Sequence, residues 1–121
     1  MKYEEKEIGK ETARLEPKDV KVKDIKEVEV ETQQGKRTKL VLVVEHPDLP
    51  EMEISKAKYL KEKKVVETGL WLTEDKDGNI PYLSAVAHLL RHYNLKRVKD
   101  IATTSLQTDI DEKGFIIIKA Y

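Results

Sequence analysis

Five consecutive apolar residues, Leu40 to Val44, constrain the fold of this chain more than any other feature. The run is short and rich in β-branched side chains, and it presents apolar side chains to both faces of a strand. It therefore predicts a central β-strand that is covered on both sides. The length of 121 residues fits one domain, which at this size buries roughly two thirds of its unfolded surface.

A period of two marks the strand that precedes this run. The valines at 20 and 22 share one face, as do those at 28 and 30, whereas Ile25 is out of phase with both pairs. The break predicts a β-bulge near Lys23 and Asp24. A turn is predicted over residues 33–36, where Gly35 can adopt a positive φ.

Further strand signals follow the central run. Met52 and Ile54 alternate with the polar residues at 51, 53 and 55 in a third strand. Another strand runs over residues 65–73, where Trp71 points away from its two leucine neighbours. The segment 56–64 is compatible with either a strand extension or a loop. A final hairpin is predicted over residues 106–118, with its turn at 111–114.

One strong helix is predicted over residues 81–93. Apolar residues recur at i, i+3, i+4 and i+7 from Leu83 to Leu90, which is the pattern of an amphipathic helix. Pro81 suits the first turn, and Asn94 can end the helix in a left-handed conformation.

The order of these elements predicts a mainly β domain over residues 18–121. We expect a five-stranded OB-like barrel, with room for an extra strand, and one helix between the third and fourth barrel strands. An α+β sheet with a helix packed on one face is the alternative. Residues 1–17 are expected to form a charged arm, or else a short helix that docks on the domain. The predicted core consists of Leu42, Val44, Leu70, Leu72, Leu83, Val86, Leu90 and Ile117.

The pattern from Val20 to Val44, together with Leu70–Leu72, Ser84–Leu90 and Gly114–Ile118, resembles small OB-fold single-stranded-DNA-binding proteins of archaea and phages. It is also similar to small uncharacterised archaeal proteins. Many chains of that family carry a Gly-Lys pair before the final hairpin, where this chain has residues 102–104, Ala-Thr-Thr. The resemblance implies a groove in which aromatic side chains stack on the bases of a single strand.

The charges of the chain balance, with 23 basic and 23 acidic residues. This balance excludes coating of nucleic acid by bulk positive charge, but local basic clusters interleave with aromatic residues, as in grooves for single strands. The competing interpretation is a surface of the kind found in hyperthermophiles, in which lysines pair with equally numerous carboxylates. The predicted nucleic-acid-binding residues are Lys36, Arg37, Lys39, Lys56, Lys58, Tyr59 and Trp71.

Two histidines, His88 and His92, have the four-residue spacing of metal ligands on a helix. Leu89 occupies the position at which a metalloprotease helix has Glu. The helical periodicity also places both rings opposite the apolar face, towards solvent. We therefore predict no metal site.

No other arrangement of residues predicts catalysis. The acidic turn at 74–79 lacks the glycine and glutamate positions of a calcium loop, and the chain has no cysteine and no Gly-x-Ser-x-Gly motif. The glutamates at 27, 29 and 31 alternate along a strand and are expected to face solvent. We predict a protein that is not an enzyme and needs no cofactor.

Two functions remain compatible with the sequence. The first is a small module that binds single-stranded DNA or RNA, with Trp71 either stacking on a base or packed in the core. The second is a protein-interaction module of an intracellular complex, which holds its partner through the acidic strands or an exposed sheet edge. No apolar run reaches the roughly 20 residues of a membrane span, and no signal peptide is visible, so we expect a cytoplasmic protein.

Overall fold

The computed structural model describes residues 15–121, so most of the predicted charged arm lies outside the described residues. The described part is mainly β, as predicted, with one α-helix, α1 (Ala85–His92), and a short 3-10 helix (Val98–Ile101). The strands are β1 (Val20–Thr32), β2 (Gly35–His46), β3 (Leu49–Ile54), β4 (Lys56–Lys61), β5 (Lys64–Gly69), β6 (Trp71–Leu72), β7 (Ser105–Leu106), β8 (Thr108–Ile110) and β9 (Ile116–Ala120).

These strands form two sheets. The first has the order β3-β2-β1-β7, and β6 pairs with β2 beside this path. The second has the order β5-β4-β9-β8, in which β4 and β9 are parallel and the other pairs antiparallel. No single closed barrel joins the strands over residues 15–121, and the predicted position of the helix between barrel strands is not confirmed.

The long first strand bends where the sequence predicts. The register between β1 and β2 shifts between Val22 and Asp24, which is the expected bulge. The two strands then stay paired to the turn, where Thr32 lies opposite Gly35 and the glycine has φ +100°. The segment 56–64, which the sequence left open, forms β4, a two-residue turn and the start of β5.

The central run packs as predicted. Leu40, Leu42 and Val44 are fully buried, and Val41 and Val43 on the other face of β2 are 9% and 8% exposed. We call the face of this sheet that carries Leu40 and Leu42 the inner face, and the opposite one the outer face. The inner face shares one core with the second sheet and with α1, through Val20, Ile54, Ala57, Tyr59, Val86, Leu89, Leu90, Leu106 and Ile118.

Most of the predicted core is confirmed, but the prediction that Leu83 is buried is wrong. Leu83 is 69% exposed and Leu72 is only partly buried, whereas the other six predicted residues are buried. The error has a local cause. The hydroxyl of Ser84 accepts a hydrogen bond from the N–H of Ala87 at 3.1 Å, so Ser84 caps the helix and α1 begins at Ala85.

The other end of the helix agrees with the sequence. Asn94 has φ 58°, the left-handed conformation expected there. Leu15 packs against the core, and Nε2 of buried His46 donates to the carbonyl of Glu16 at 2.7 Å. The last residues of the predicted arm are therefore attached to the domain.

Candidate nucleic-acid interface

Trp71 lies on the outer face of the first sheet, at the point where the chain crosses from one sheet to the other. Buried Leu70 fixes this crossing, because its N–H donates to Ser55 O at 2.8 Å and its carbonyl accepts from Leu40 N at 2.7 Å. The next two residues form β6, in which Trp71 lies opposite Lys39 and Leu72 lies opposite Thr38. Since opposite residues share a face, Trp71 points outwards and remains partly exposed.

Two cations lie against the tryptophan ring. The guanidinium carbon of Arg37 is 4.4 Å from the ring centroid, and Nζ of Lys39 is 5.0 Å from it. Such contacts contribute roughly 0.5–1 kcal/mol each at exposed sites. The spacing of two residues along β2 places both cations on the same face, so this contact follows from strand alternation.

Gly69 makes room for the arrangement. A Cβ at this position would lie 2.9 Å from Cε of Lys39 and 3.0 Å from Nε1 of Trp71. We call Arg37, Lys39, Gly69 and Trp71 together the Trp71 cluster. Sequence analysis missed Gly69, although an isolated glycine in a strand often marks the close approach of another group.

The cluster has an excess of positive charge. Neither Arg37 nor Lys39 forms an ion pair with a carboxylate between residues 15 and 121. Burial lowers the pKa of the Lys39 ammonium below its ordinary value, and the charge of Lys56 adds to this effect. An anion placed here would meet two cations without a competing carboxylate from the described part of the chain.

A surface depression of about 190 Å³ adjoins the cluster at the junction of the two sheets. It extends from the tryptophan to the first turn of α1, and three of the seven predicted residues line it. The lining residues are Arg37, Tyr59, Thr68, Gly69, Trp71, Thr73, Ser84 and Ala85.

Tyr59 lines this depression but is only 7% exposed. Its ring stacks on His88 with centroids 4.3 Å apart and planes 25° apart. The prediction that His88 faces solvent is therefore wrong, because helical periodicity contains no information on a ring supplied by another strand. Burial, followed by the charge of Arg91, lowers the pKa of His88 below its ordinary value. His92 is exposed, as predicted.

One of the predicted lysines, Lys58, lies away from the cluster, among carboxylates. Alternation along β4 places Lys58 and Tyr59 on opposite faces of the second sheet, although they are adjacent in sequence. Nζ of Lys58 is 3.5 Å from Asp109 Oδ2 and 3.8 Å from Glu67 Oε1. Lys56, in contrast, lies opposite Gly69 of the cluster across β4 and β5, and its charge contributes to the lowered pKa of Lys39. Its Nζ is also 3.8 Å from Oδ2 of Asp111.

Lys36 is exposed near the β1–β2 turn, opposite Glu31. Strand alternation places it on the inner-face side of the hairpin, whereas Arg37 belongs to the outer face. The structure thus brings together Arg37, Lys39 and Trp71 and separates them from Lys36 and Lys58.

No group of three or more His, Cys, Asp or Glu side chains suited to a metal ion occurs in the described part of the chain. None of the helices described over 15–121 combines the length and apolar character needed to cross a membrane. No protein-family model matches the chain, and no curated protein and no solved structure matches it significantly. The resemblance to OB-fold proteins stays a prediction.

Proposed function

We propose that this protein binds single-stranded nucleic acid at the Trp71 cluster. The observation that carries the proposal is the position of the chain's one tryptophan on the outer face of the first sheet, with two cations against its ring that no carboxylate of residues 15–121 neutralises. Aromatic rings that stack on bases contribute roughly 1–3 kcal/mol per base, and neighbouring cations contact the phosphates. In this proposal the two sheets correspond to an OB-like arrangement.

The geometry indicates how a nucleotide would be held. Because the Arg37 guanidinium lies over the indole, a base would stack on the outer plane of the guanidinium or on the part of the indole that remains exposed. Tyr59 is excluded as a stacking surface in this arrangement, because His88 covers its ring.

The small number of free cations sets the salt dependence. Arg37 and Lys39 can neutralise two phosphates, and each phosphate contributes about −0.7 to the slope of log affinity against log salt for single strands. The expected slope is therefore about −1.4. A steeper slope would indicate that further lysines, such as Lys36 or Lys56, also contact phosphates.

The test uses the fluorescence of the single tryptophan. Titration with a single-stranded oligothymidylate at low salt should quench Trp71 emission, because the ring becomes stacked. The duplex of this oligothymidylate with its complementary strand should quench the emission less. Replacing Arg37 and Lys39 with Gln should weaken binding of all single-stranded sequences and flatten the salt slope. Trp71→Phe, followed by mobility shift, tests the stacking contribution.

Lys99→Gln is the matched control, since it removes an exposed positive charge from the segment that follows the helix. It should leave oligonucleotide binding unchanged. Equal losses in the control and in the cluster variants would place the binding surface elsewhere. Unchanged fluorescence of the wild-type protein together with no mobility shift at low salt would overturn the proposal.

A further inference from the structure

The part of β1 that follows the bulge has one edge without a strand partner in the described part of the chain. β7 pairs only with Val20 and Lys21, and Thr103 and Thr104 bond the backbone of Val22 at 3.0 and 2.9 Å. After the bulge, pairing continues on the β2 side alone.

The bulge region closes the first part of this edge. The Asp24 carboxylate accepts a hydrogen bond from the N–H of Ile25 at 2.8 Å. The remaining segment Lys26–Thr32, which we call the β1 edge, exposes backbone donors and acceptors over about 20 Å, at roughly 3.3 Å per residue. Unpaired strand edges of this kind are templates for another strand.

The side chains of the β1 edge divide by charge between the two faces. Glu27, Glu29 and Glu31 lie opposite Leu40, Thr38 and Lys36 and therefore share the inner-face side. None of these three carboxylates forms an ion pair with a residue in the range 15–121.

The other side of the edge is apolar. Val28 and Val30 lie opposite Lys39 and Arg37, and Val28 is 40% exposed. Lys26 shares this face, but it is paired with Glu53. An added strand would therefore meet a row of free carboxylates on one face and two valines on the other.

We propose that the β1 edge binds an extended segment of a partner protein that carries Lys or Arg at every second position and apolar residues between them. Both strands have a side-chain period of two, so the basic residues of such a segment face the three carboxylates while its apolar residues meet the two valines. Backbone hydrogen bonds supply the pairing, and the charges select the partner.

The same carboxylates exclude other occupants. In an antiparallel pair of two copies centred on Val28, Glu27 of one copy would lie opposite Glu29 of the other, and like charges directly opposite each other are destabilising. Phosphates of a nucleic acid would be repelled by the same row. The glutamates of the β1 edge thus lie on the face opposite to the Trp71 cluster, whereas Val28 and Val30 adjoin Lys39 and Arg37 on the outer face.

The test uses a synthetic peptide with three Lys-Val repeats between threonines. At low salt, this peptide should shift the amide signals of residues 26–32 and slow their hydrogen exchange. A peptide of the same composition with its three lysines consecutive should bind about 1.4- to 5-fold more weakly, because only two of the lysines then share a face and one cross-strand charge pair is lost. Equal binding of the two peptides would overturn the proposal, since it would show non-specific charge attraction.

A charge exchange provides the matched control. The variant with Glu27, Glu29 and Glu31 replaced by Lys should no longer bind the Lys-Val peptide and should bind a Glu-Val peptide instead. Its circular dichroism spectrum should remain that of the wild type. A concentration-dependent dimer that protects the β1 edge, or an oligonucleotide that displaces the peptide from it, would overturn the assignment. The fluorescence titration of Trp71 tests the Trp71 cluster separately.

Discussion

The ring of Tyr59 in strand β4 stacks on the ring of His88 in the middle of helix α1. The rings lie 4.3 Å apart and 25° from parallel, and the tyrosine is almost fully buried. The contact fixes how the helix lies on the second sheet. It also positions the first turn of α1 beside the depression that adjoins the Trp71 cluster.

This contact makes the pKa of His88 a test of the structure. Burial lowers the folded-state pKa below the ordinary value of 6.5, and the charge of Arg91 contributes to the same shift. The unfolded chain therefore binds more protons on acidification, so His88 reduces stability as pH falls through about 6.5 and below. Imidazole signals followed by NMR should show the lowered pKa, and Arg91→Gln should move it partly back upwards, because it removes a nearby positive charge.

The corresponding stability measurement uses His88→Gln. Urea unfolding between about pH 7 and pH 5 should show a smaller loss of stability in this variant than in the wild type. His92→Gln is the matched control on the exposed side of the helix. A pKa of His88 at or above 6.5 in the folded protein would contradict the stacked arrangement.

A second prediction concerns Tyr93, whose hydroxyl joins the connection between β7 and β8 to strand β9. It accepts a hydrogen bond from Gln107 N at 2.8 Å and donates to Lys119 O at 2.5 Å. Tyr93→Phe leaves both backbone groups without this partner, so the free energy of unfolding should fall by about 1–3 kcal/mol. Tyr82→Phe is the control, because Tyr82 is 72% exposed and should change stability by less than about 0.5 kcal/mol.

The corrected start of α1 gives a third prediction. Ser84→Ala removes the cap from Ala87 N and should destabilise the protein by about 0.5–2 kcal/mol in chemical denaturation. Leu83→Ala should cost less than about 0.5 kcal/mol, because this leucine lies outside the helix and is mostly exposed. Leu90→Ala, inside the core, should cost about 2–5 kcal/mol. A large loss for Leu83→Ala would restore the longer helix that the sequence predicts.

Features that depend on residues close together in the sequence were predictable from it. The double-sided burial of residues 40–44 and the bulge before Ile25 both follow from the side-chain period of a strand. The helix was found by its periodicity, but Leu83 matched the apolar spacing by coincidence while Ser84 provided the stronger local signal for the helix start.

Features that depend on contacts between distant segments were not predictable in this way. The basic clusters were grouped by position in the chain, yet alternation turns Lys58 away from Tyr59, and distant carboxylates neutralise its charge. The contact of Arg37 with Trp71 depends on the crossing of the chain from one sheet to the other at Leu70. The sequence instead predicted one continuous strand over residues 65–73.

The last prediction tests whether the Trp71 cluster needs the space above Gly69. Gly69→Ala places a Cβ 2.9 Å from Lys39 Cε and 3.0 Å from Trp71 Nε1, so at least one of these side chains must move. We expect altered Trp71 emission in the free protein. We also expect weaker oligonucleotide binding, although no charge and no aromatic ring has been removed.

Gly35→Ala is the matched control for this substitution. Its Cβ meets no atom within 4 Å, but its φ of +100° is unfavourable for alanine. It should therefore lower stability by roughly 1–2 kcal/mol through backbone strain while leaving Trp71 emission unchanged. The two variants separate a packing effect at the cluster from general destabilisation. If Gly69→Ala left both emission and binding unchanged, the close packing of Lys39 over Trp71 would not contribute to the binding surface.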